Sequence, residues 1–320
     1  MCADQFPARP SFVRTKARIE ILLGKQQNNG VLAAHGGYLI SLPQTAAEQL
    51  SNARNNLNAV ARFSGAMAQR DIPFVFAPVP RSIDVNKSRL PRLYSAVGAD
   101  EDCRYLSQCA NSLGLALHDL ITPLRAAADS GQDVWYRTDH HWTSLGAYYA
   151  YAELGKHLGY SPFPLSEFTE EKVCGDFFGS SYSASLFPSA TPDTVTAFRF
   201  EGDGEIKITD QNTGEVFGLY DENSLSSASK YDFFLGGNKA HLKIESGKKR
   251  RLVIVKDSFA NSLVPFLSRH FDLEIIDPRY LRRPLSELLD SIYANGDAPA
   301  LLLLFNPETL CTDAGIDNFG

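Results

Sequence analysis

The chain has 320 residues, 44% hydrophobic and 21% charged, an ordinary globular composition with length enough for one large domain or two medium ones. Its 31 Lys and Arg against 37 Asp and Glu give a net charge of −6, without the basic excess of nucleic-acid binding, so that partner class is excluded. No run of about 18 apolar residues is present, and MCADQFPARPSF has neither the basic nor the apolar region of a signal peptide, so the chain as given reads as soluble.

The first elements in chain order are a polar helix over residues 10–30 and two short strands in VLAAHGGYLISL around His35-Gly36-Gly37. A long helix follows from about Thr45 to Gln69, with apolar or small residues at Leu50, Ala53, Leu57, Val60 and Phe63. FVFAPVP, stopped by prolines, has the form of a buried parallel strand that arrives at a loop. A helix over roughly Asp100–Leu113, a strand-like LALHDL and a short helix over Thr122–Ser130 come next. This alternation predicts an α/β fold with a mainly parallel sheet.

Residues 161–249 turn to Gly, Ser, Thr, Asp and isolated aromatics, with alternating TVTAFRF and EIKITD, and read as a β-rich insertion. After GKKRR the α/β texture returns as RLVIVKDSFANSLVPFLSRHF, LEIIDPRYL and ALLLLFNPETL. One sheet then takes strands from both ends of the chain, a single domain with its core at about 10–160 and 250–320. The five cysteines form no C-x-x-C pair, and Cys103 and Cys109 lie on nearly opposite faces of a helix.

Two stretches carry chemistry. In RLVIVKDSFAN, Ser258 stands at the carboxyl end of a buried strand beside a helix start, where open α/β sheets place ligands and backbone N–H groups favour an anion. It reads either as a nucleophile or as an N-cap shared with Asp257. In WYRTDHHWTSLGAYYAY, Asp139 and His141 are two apart in an extended stretch and project to one side. Asp139 can orient His141, which can then serve as base to a serine from the other half of the chain.

His140 points the other way and reads as a packed, hydrogen-bonded histidine beside Trp135 or Trp142. A metal centre through Asp139, His140 and His141 lacks a spaced third ligand among the scattered His35, His118, His157, His241 and His270. We expect no metal and no cofactor. Asn306 and Arg279 end apolar strands on the serine's edge, Asn306 as an oxyanion donor or a turn residue, Arg279 as a ligand-binding group or a surface ion pair. Gly236-Gly237-Asn238 offers backbone donors or a plain turn.

YRTDHHWTSLGAYYAY resembles the signature of the DHHW protein family, and KDSFANSLVPFL with IIDPRYL is similar to a second block of it. DQFPAR, NNGVLAAHGGYLI, FVFAPVP, DFFGSSYS and FLGGN follow the same pattern in order, so the likeness covers most of the chain. The family is similar in turn to the SGNH hydrolase-like domains of alginate-type polysaccharide O-acetyltransferases, which pair D-x-H with a much later serine.

The resemblance implies a three-layer α/β/α SGNH-like fold, circularly permuted because the serine follows the D-x-H, with Asp139, His141 and Ser258 in the triad positions. It also implies a cell-surface or extracellular protein whose N-terminal signal or membrane anchor lies upstream. The expected activity is that of an esterase or O-acetyltransferase on a carbohydrate or an acylated cell-envelope polymer. The oxyanion would be held by the Ser258 N–H with Asn306 or the Gly237 region, and Trp142, Trp135 and Tyr182 are candidates for stacking on sugar rings. The alternative is a non-catalytic envelope protein that keeps the fold to bind glycans or a partner.

Overall fold

The computed structural model describes residues 9–43, 47–92, 94, 97–294 and 299–312. The chain opens with α1 (Arg9–Leu22) and a small antiparallel sheet of β1 (Gln27–Asn28), β2 (Val31–Ala33) and β3 (Leu39–Ser41), in which Gly36 and Gly37 take φ of +74° and +80° to turn between β2 and β3. Next come α2 (Ala47–Gln69), β4 (Phe74–Phe76), α3 (Ser82–Val85), α4 (Val97–Ser112), α5 (Ile121–Asp129) and α6 (Ser144–Leu158). LALHDL forms no strand; its His118 N–H donates to Phe76 O and continues the chain past the sheet as coil.

The region expected as a β-rich insertion divides in two. β5 (Thr169–Phe177) and β6 (Asp193–Arg199) make a separate antiparallel ribbon, with α7 (Ser180–Ser185) between them. β7 (Ile208–Asp210), β8 (Val216–Phe217) and β9 (His241–Ile244) instead extend the main sheet. The chain ends through β10 (Arg251–Lys256), α8 (Val264–Leu267), β11 (Asp272–Ile276), α9 (Leu285–Tyr293), β12 (Ala300–Leu304) and α10 (Pro307–Thr312).

Among the described residues the main sheet has seven strands in the order β4-β12-β10-β11-β9-β7-β8. The first four are parallel, and β9, β7 and β8 are added antiparallel, so the sheet is mixed. Alternation along β10 explains the layers. Leu252 and Ile254 point into a core shared with α5 and α6, whereas Val253 and Val255 point into a second core with α2, α4 and α9. A sheet that buries both faces reads as a continuous apolar run, which is what RLVIV and ALLLL are. The result is a three-layer α/β/α arrangement whose parallel strands end on one edge, at Phe76, Lys256, Ile276 and Leu304.

Candidate active site

At that edge β10 gives way to a turn. Asp257, rather than Ser258, caps it: its Oδ1 accepts from Phe259 N at 3.0 Å, and its Oδ2 accepts from Asn306 N at 2.7 Å and Thr309 Oγ1 at 3.0 Å. The expected continuous helix is instead a 3-10 turn, Ser258–Ser262, followed by the short α8. With the cap supplied by its neighbour, the half-buried Ser258 hydroxyl is left to other partners.

Those partners come from the tip of a tight hairpin. Trp135 and Trp142 bridge its two arms, Tyr136 N donates to His141 O at 3.2 Å, and Thr143 N donates to Val134 O at 3.1 Å before Thr143 caps α6. Asp193 of β6 braces the tip by accepting from Arg137 N, Thr138 N and Thr138 Oγ1 at 2.6–2.8 Å. Trp142, wholly buried, ties the hairpin to the serine turn through Nε1, which donates to Phe259 O at 2.9 Å and Ser262 Oγ at 3.0 Å.

The structure brings Asp139, His141 and Ser258 together. His141 Nε2 lies 2.7 Å from Ser258 Oγ, and His141 Nδ1 lies 2.6 Å from Asp139 Oδ1. Asp139 Oδ1 also accepts from His141 N at 2.9 Å, so the two residues are joined by a local turn and not merely by the alternation of an extended strand. Asp139 Oδ2 accepts from Ser180 N at 2.8 Å. Burial would raise the Asp139 pKa, but the charges of His141 and His140, the His141 hydrogen bond and the Ser180 N–H outweigh it and hold the carboxyl well below the usual range. An imidazole so held can accept a proton from the serine while an ionised carboxylate fixes its tautomer. The Ser258 N–H is first in its turn and has no acceptor a turn earlier in the same helix.

Three contributors were not legible beforehand. Tyr231 stacks on His141 with ring centroids 3.8 Å apart and an angle of 9°, and its hydroxyl lies 3.1 Å from Ser262 Oγ. Ser180 supplies the N–H to Asp139, and Gly179 lets the backbone approach: a Cβ there would fall 2.3 Å from Asp139 Cβ and Oδ2. Gly179 and Ser180 lie in the quoted DFFGSSYS, but nothing local marks Tyr231.

Other expectations are revised. Asn306 Nδ2 donates to Val79 O at 3.2 Å and Pro80 O at 3.3 Å, which anchors β12 to the loop after β4 and takes the amide away from an oxyanion. Gly237 N donates to Phe234 O at 3.2 Å within a turn. Asn238 Oδ1 accepts from the wholly buried Lys256 at 3.0 Å and from Asn261 Nδ2 at 3.2 Å, behind the serine turn. Arg279 is held by Asp277 through two bonds of 2.7 and 2.8 Å, because the Asp277 carboxylate two residues earlier captures it. Trp142 and Trp135 are core residues and offer no ring face to a sugar; Tyr182 packs its ring on Phe178 at 4.5 Å.

His140 also differs from expectation. Its side chain keeps 42% of its surface exposed, Nδ1 lies 2.5 Å from Ser180 Oγ, and the ring sits 3.8 Å from that of His141 in the wall of a small cleft. Desolvation and the neighbouring His141 push its pKa down to about 4. Ligand atoms of Asp139, His140 and His141 come within 4.8 Å of one another, but both His141 ring nitrogens already have partners and a metal there would have to break one of those contacts.

Comparison with known proteins bears on the fold. Residues 121–276 match the family described as DHHW protein, and residues 41–187 match the SGNH hydrolase-like domain of acetyltransferase AlgX. The chain is 27% identical over 220 residues to "Probable alginate O-acetylase AlgJ" of Pseudomonas syringae pv. tomato, covering 67% of this chain and 56% of that protein. The chain therefore spans little more than half the length of that relative. Among solved structures, a DHHW family protein from Eubacterium siraeum superposes with a TM-score of 0.70 at 22% identity, covering 92% of this chain and 95% of that one. PatB1 of Bacillus cereus, solved with a sulfonyl adduct, gives 0.68 at 18% identity, covering 90% and 98%. The O-acetyltransferase domain of Pseudomonas putida AlgJ gives 0.56 at 17%, covering 89% and 93%. The fold is SGNH hydrolase-like.

Proposed function

Since the chain carries the DHHW family's sequence pattern on an SGNH hydrolase-like fold, we propose that it is a serine O-acyltransferase or esterase acting on a polysaccharide at the cell surface. The observation that carries this reading is the unbroken line Asp139 Oδ1, His141 Nδ1, His141 Nε2, Ser258 Oγ, with steps of 2.6 and 2.7 Å. The names of the alginate O-acetylase and O-acetyltransferase relatives support the polysaccharide ester as substrate.

Ser258 Oγ attacks the acyl carbonyl and passes its proton to His141 Nε2. Collapse of the tetrahedral adduct releases the alcohol, which takes that proton, and leaves the acyl group on Ser258. A second hydroxyl, from water or from a sugar, then gives its proton to His141 and attacks the acyl-serine, which restores the free enzyme. Asp139 stays ionised throughout and stabilises the imidazolium. Tyr231 holds the imidazole ring from its face.

The test is hydrolysis of p-nitrophenyl acetate by the wild type, Ser258→Ala and His141→Ala, with mass-spectrometric mapping of a sulfonyl fluoride label. Loss of turnover by about a thousandfold or more and a label on Ser258 are expected. Wild-type turnover in either variant, or a label on another residue, would refute the assignment.

A further inference from the structure

Two adjoining clefts run from His140 and Phe259, the chain neighbours of His141 and Ser258, to the β1–β3 hairpin. The small one, walled by His140, Phe259 and Ser181, shares Ser41, Arg81 and Glu308 with a larger one of about 300 Å³. That volume lies at the lower end of the range of ligand sites. The larger cleft continues past Asn29 and Pro43 to Thr312.

Its walls are tied together. Asn28 Nδ2 donates to Ser185 O at 2.7 Å and Asn29 Nδ2 to Ala184 O at 2.9 Å, which fastens the hairpin to α7; Ser41 Oγ lies 3.5 Å from Ser181 Oγ. The cleft is a built feature that starts at His140 and Phe259, each next in the chain to a triad residue, and not a gap between loose segments.

Its charge is one-sided. Arg81 is the one Lys or Arg among the described residues that line the two clefts, and its side chain is only 8% exposed. Asp84 takes its Nε and Nη2 at 3.0 Å, and Asp102 takes Nη1 at 3.0 Å, so its charge is neutralised within the protein. Glu308 is exposed, and its carboxylate has no ion pair among the described residues. His140, with its lowered pKa, brings no positive charge at neutral pH. The cleft thus offers serine hydroxyls, one imidazole and one free carboxylate. A ligand carboxylate would meet Glu308 with no cation to balance it, whereas sugar hydroxyls can donate to Glu308 and pair with the serines.

We infer that this cleft is the glycan subsite of the enzyme proposed above, and that it takes a neutral, hydroxyl-bearing saccharide and rejects a polyuronate. The inference rests on the acyl-transfer reading for the use of the site, but the recognition it describes can be measured without catalysis. It separates this chain from the relative named for alginate, which is a polyuronate.

The experiment measures binding of cellohexaose, xylohexaose and hexamannuronate to the full-length Ser258→Ala protein by saturation-transfer NMR and titration. Because the serine is absent, failure of the triad test leaves this result standing, and the reverse holds. At least one neutral hexamer is expected to bind about tenfold or more tighter than hexamannuronate. Glu308→Lys in that background should narrow the ratio about tenfold, and Ser41→Trp, with folding checked by near-UV circular dichroism, should remove the neutral ligand. Hexamannuronate binding as tightly as the neutral hexamers, no binding of either neutral hexamer, or binding undiminished by Ser41→Trp each overturns the inference.

Discussion

Replacing Gly179 by alanine tests the site at a residue that takes no part in the chemistry. Its φ of −91° is open to any residue, so the substitution strains no backbone and the effect is steric alone. The added Cβ would lie 2.3 Å from Asp139 Cβ and Oδ2 and 2.6 Å from Cγ, against an ordinary carbon contact of about 3.5–4.0 Å. Relief needs a displacement of roughly 1 Å or more, and the Ser180 and His141 bonds to Asp139, at 2.6–2.9 Å, cannot all survive it. Overpacking of this kind costs about 1–3 kcal/mol of stability. Misplacement by about 1 Å costs roughly a hundredfold in rate, and full loss of the orienting carboxylate roughly ten-thousandfold. Gly179→Ala is therefore expected to lower kcat for p-nitrophenyl acetate by a factor in that interval, with KM little changed, and to lower Tm. Gly65→Ala is the control: nothing lies within 4 Å of a Cβ there in α2, so it should leave kcat alone and add about 0.5–1 kcal/mol. A Gly179→Ala protein with wild-type kcat and Tm would show the reasoning about this contact to be wrong.

Two further predictions concern the histidines. Tyr231→Phe keeps the ring stacked on His141 and loses the hydroxyl's contacts with Ser262 Oγ at 3.1 Å and with the Ser258 and Phe259 carbonyls at 3.3 and 3.4 Å, so it should cost about 1 kcal/mol and change kcat a few-fold at most, whereas Tyr231→Leu should lower kcat about tenfold or more; equal kcat values in the two variants would remove the positioning role. His140 and His270 are both held at about 4, below the unfolded value of 6.5, His140 chiefly by desolvation and His141, His270 by desolvation and nearby cations. Between those values the unfolded chain binds more protons than the folded one. Tm should then fall as pH drops from about 6.5 to about 4, and His140→Gln should flatten part of that slope; an unchanged slope in the variant would count against it.

Much of the architecture was legible because a doubly buried parallel strand announces itself. FVFAPVP, RLVIVKDS, LEIIDP and ALLLLFNP each pair an apolar run with a polar or proline stop, and each supplies a strand of the parallel half-sheet. The antiparallel half lies within the stretch that reads as a β-rich insertion, since β7 and β8 carry only three and two residues and show too little alternation to reveal which sheet they join. In the site, Asp139, His141 and Ser258 were visible from residue type and position. Their neighbours were not. Asn306 and Arg279 stand at strand ends as expected, but their partners, the Val79 and Pro80 carbonyls and the Asp277 carboxylate, follow from tertiary approach or side-chain competition. Alternation turns His140 away from His141 and toward packing, whereas the hairpin tip brings both rings to one side.

The order of strands has a consequence for how the molecule is made. Among the described residues β4 has a single neighbour in the sheet, β12, and Val75 is paired with Leu302. At a synthesis rate of roughly 5–20 residues per second, the nascent chain carries β4 unpaired for roughly 11–45 s before its partner is even polymerised. During that interval the apolar FVF segment has no sheet to join, and helix α2, which packs on the same layer as the absent β12, has only part of its surface covered. A ribosome-bound fragment ending before residue 300 should accordingly stay sensitive to protease around Phe74–Phe76, with protection arriving only when the last strand is released.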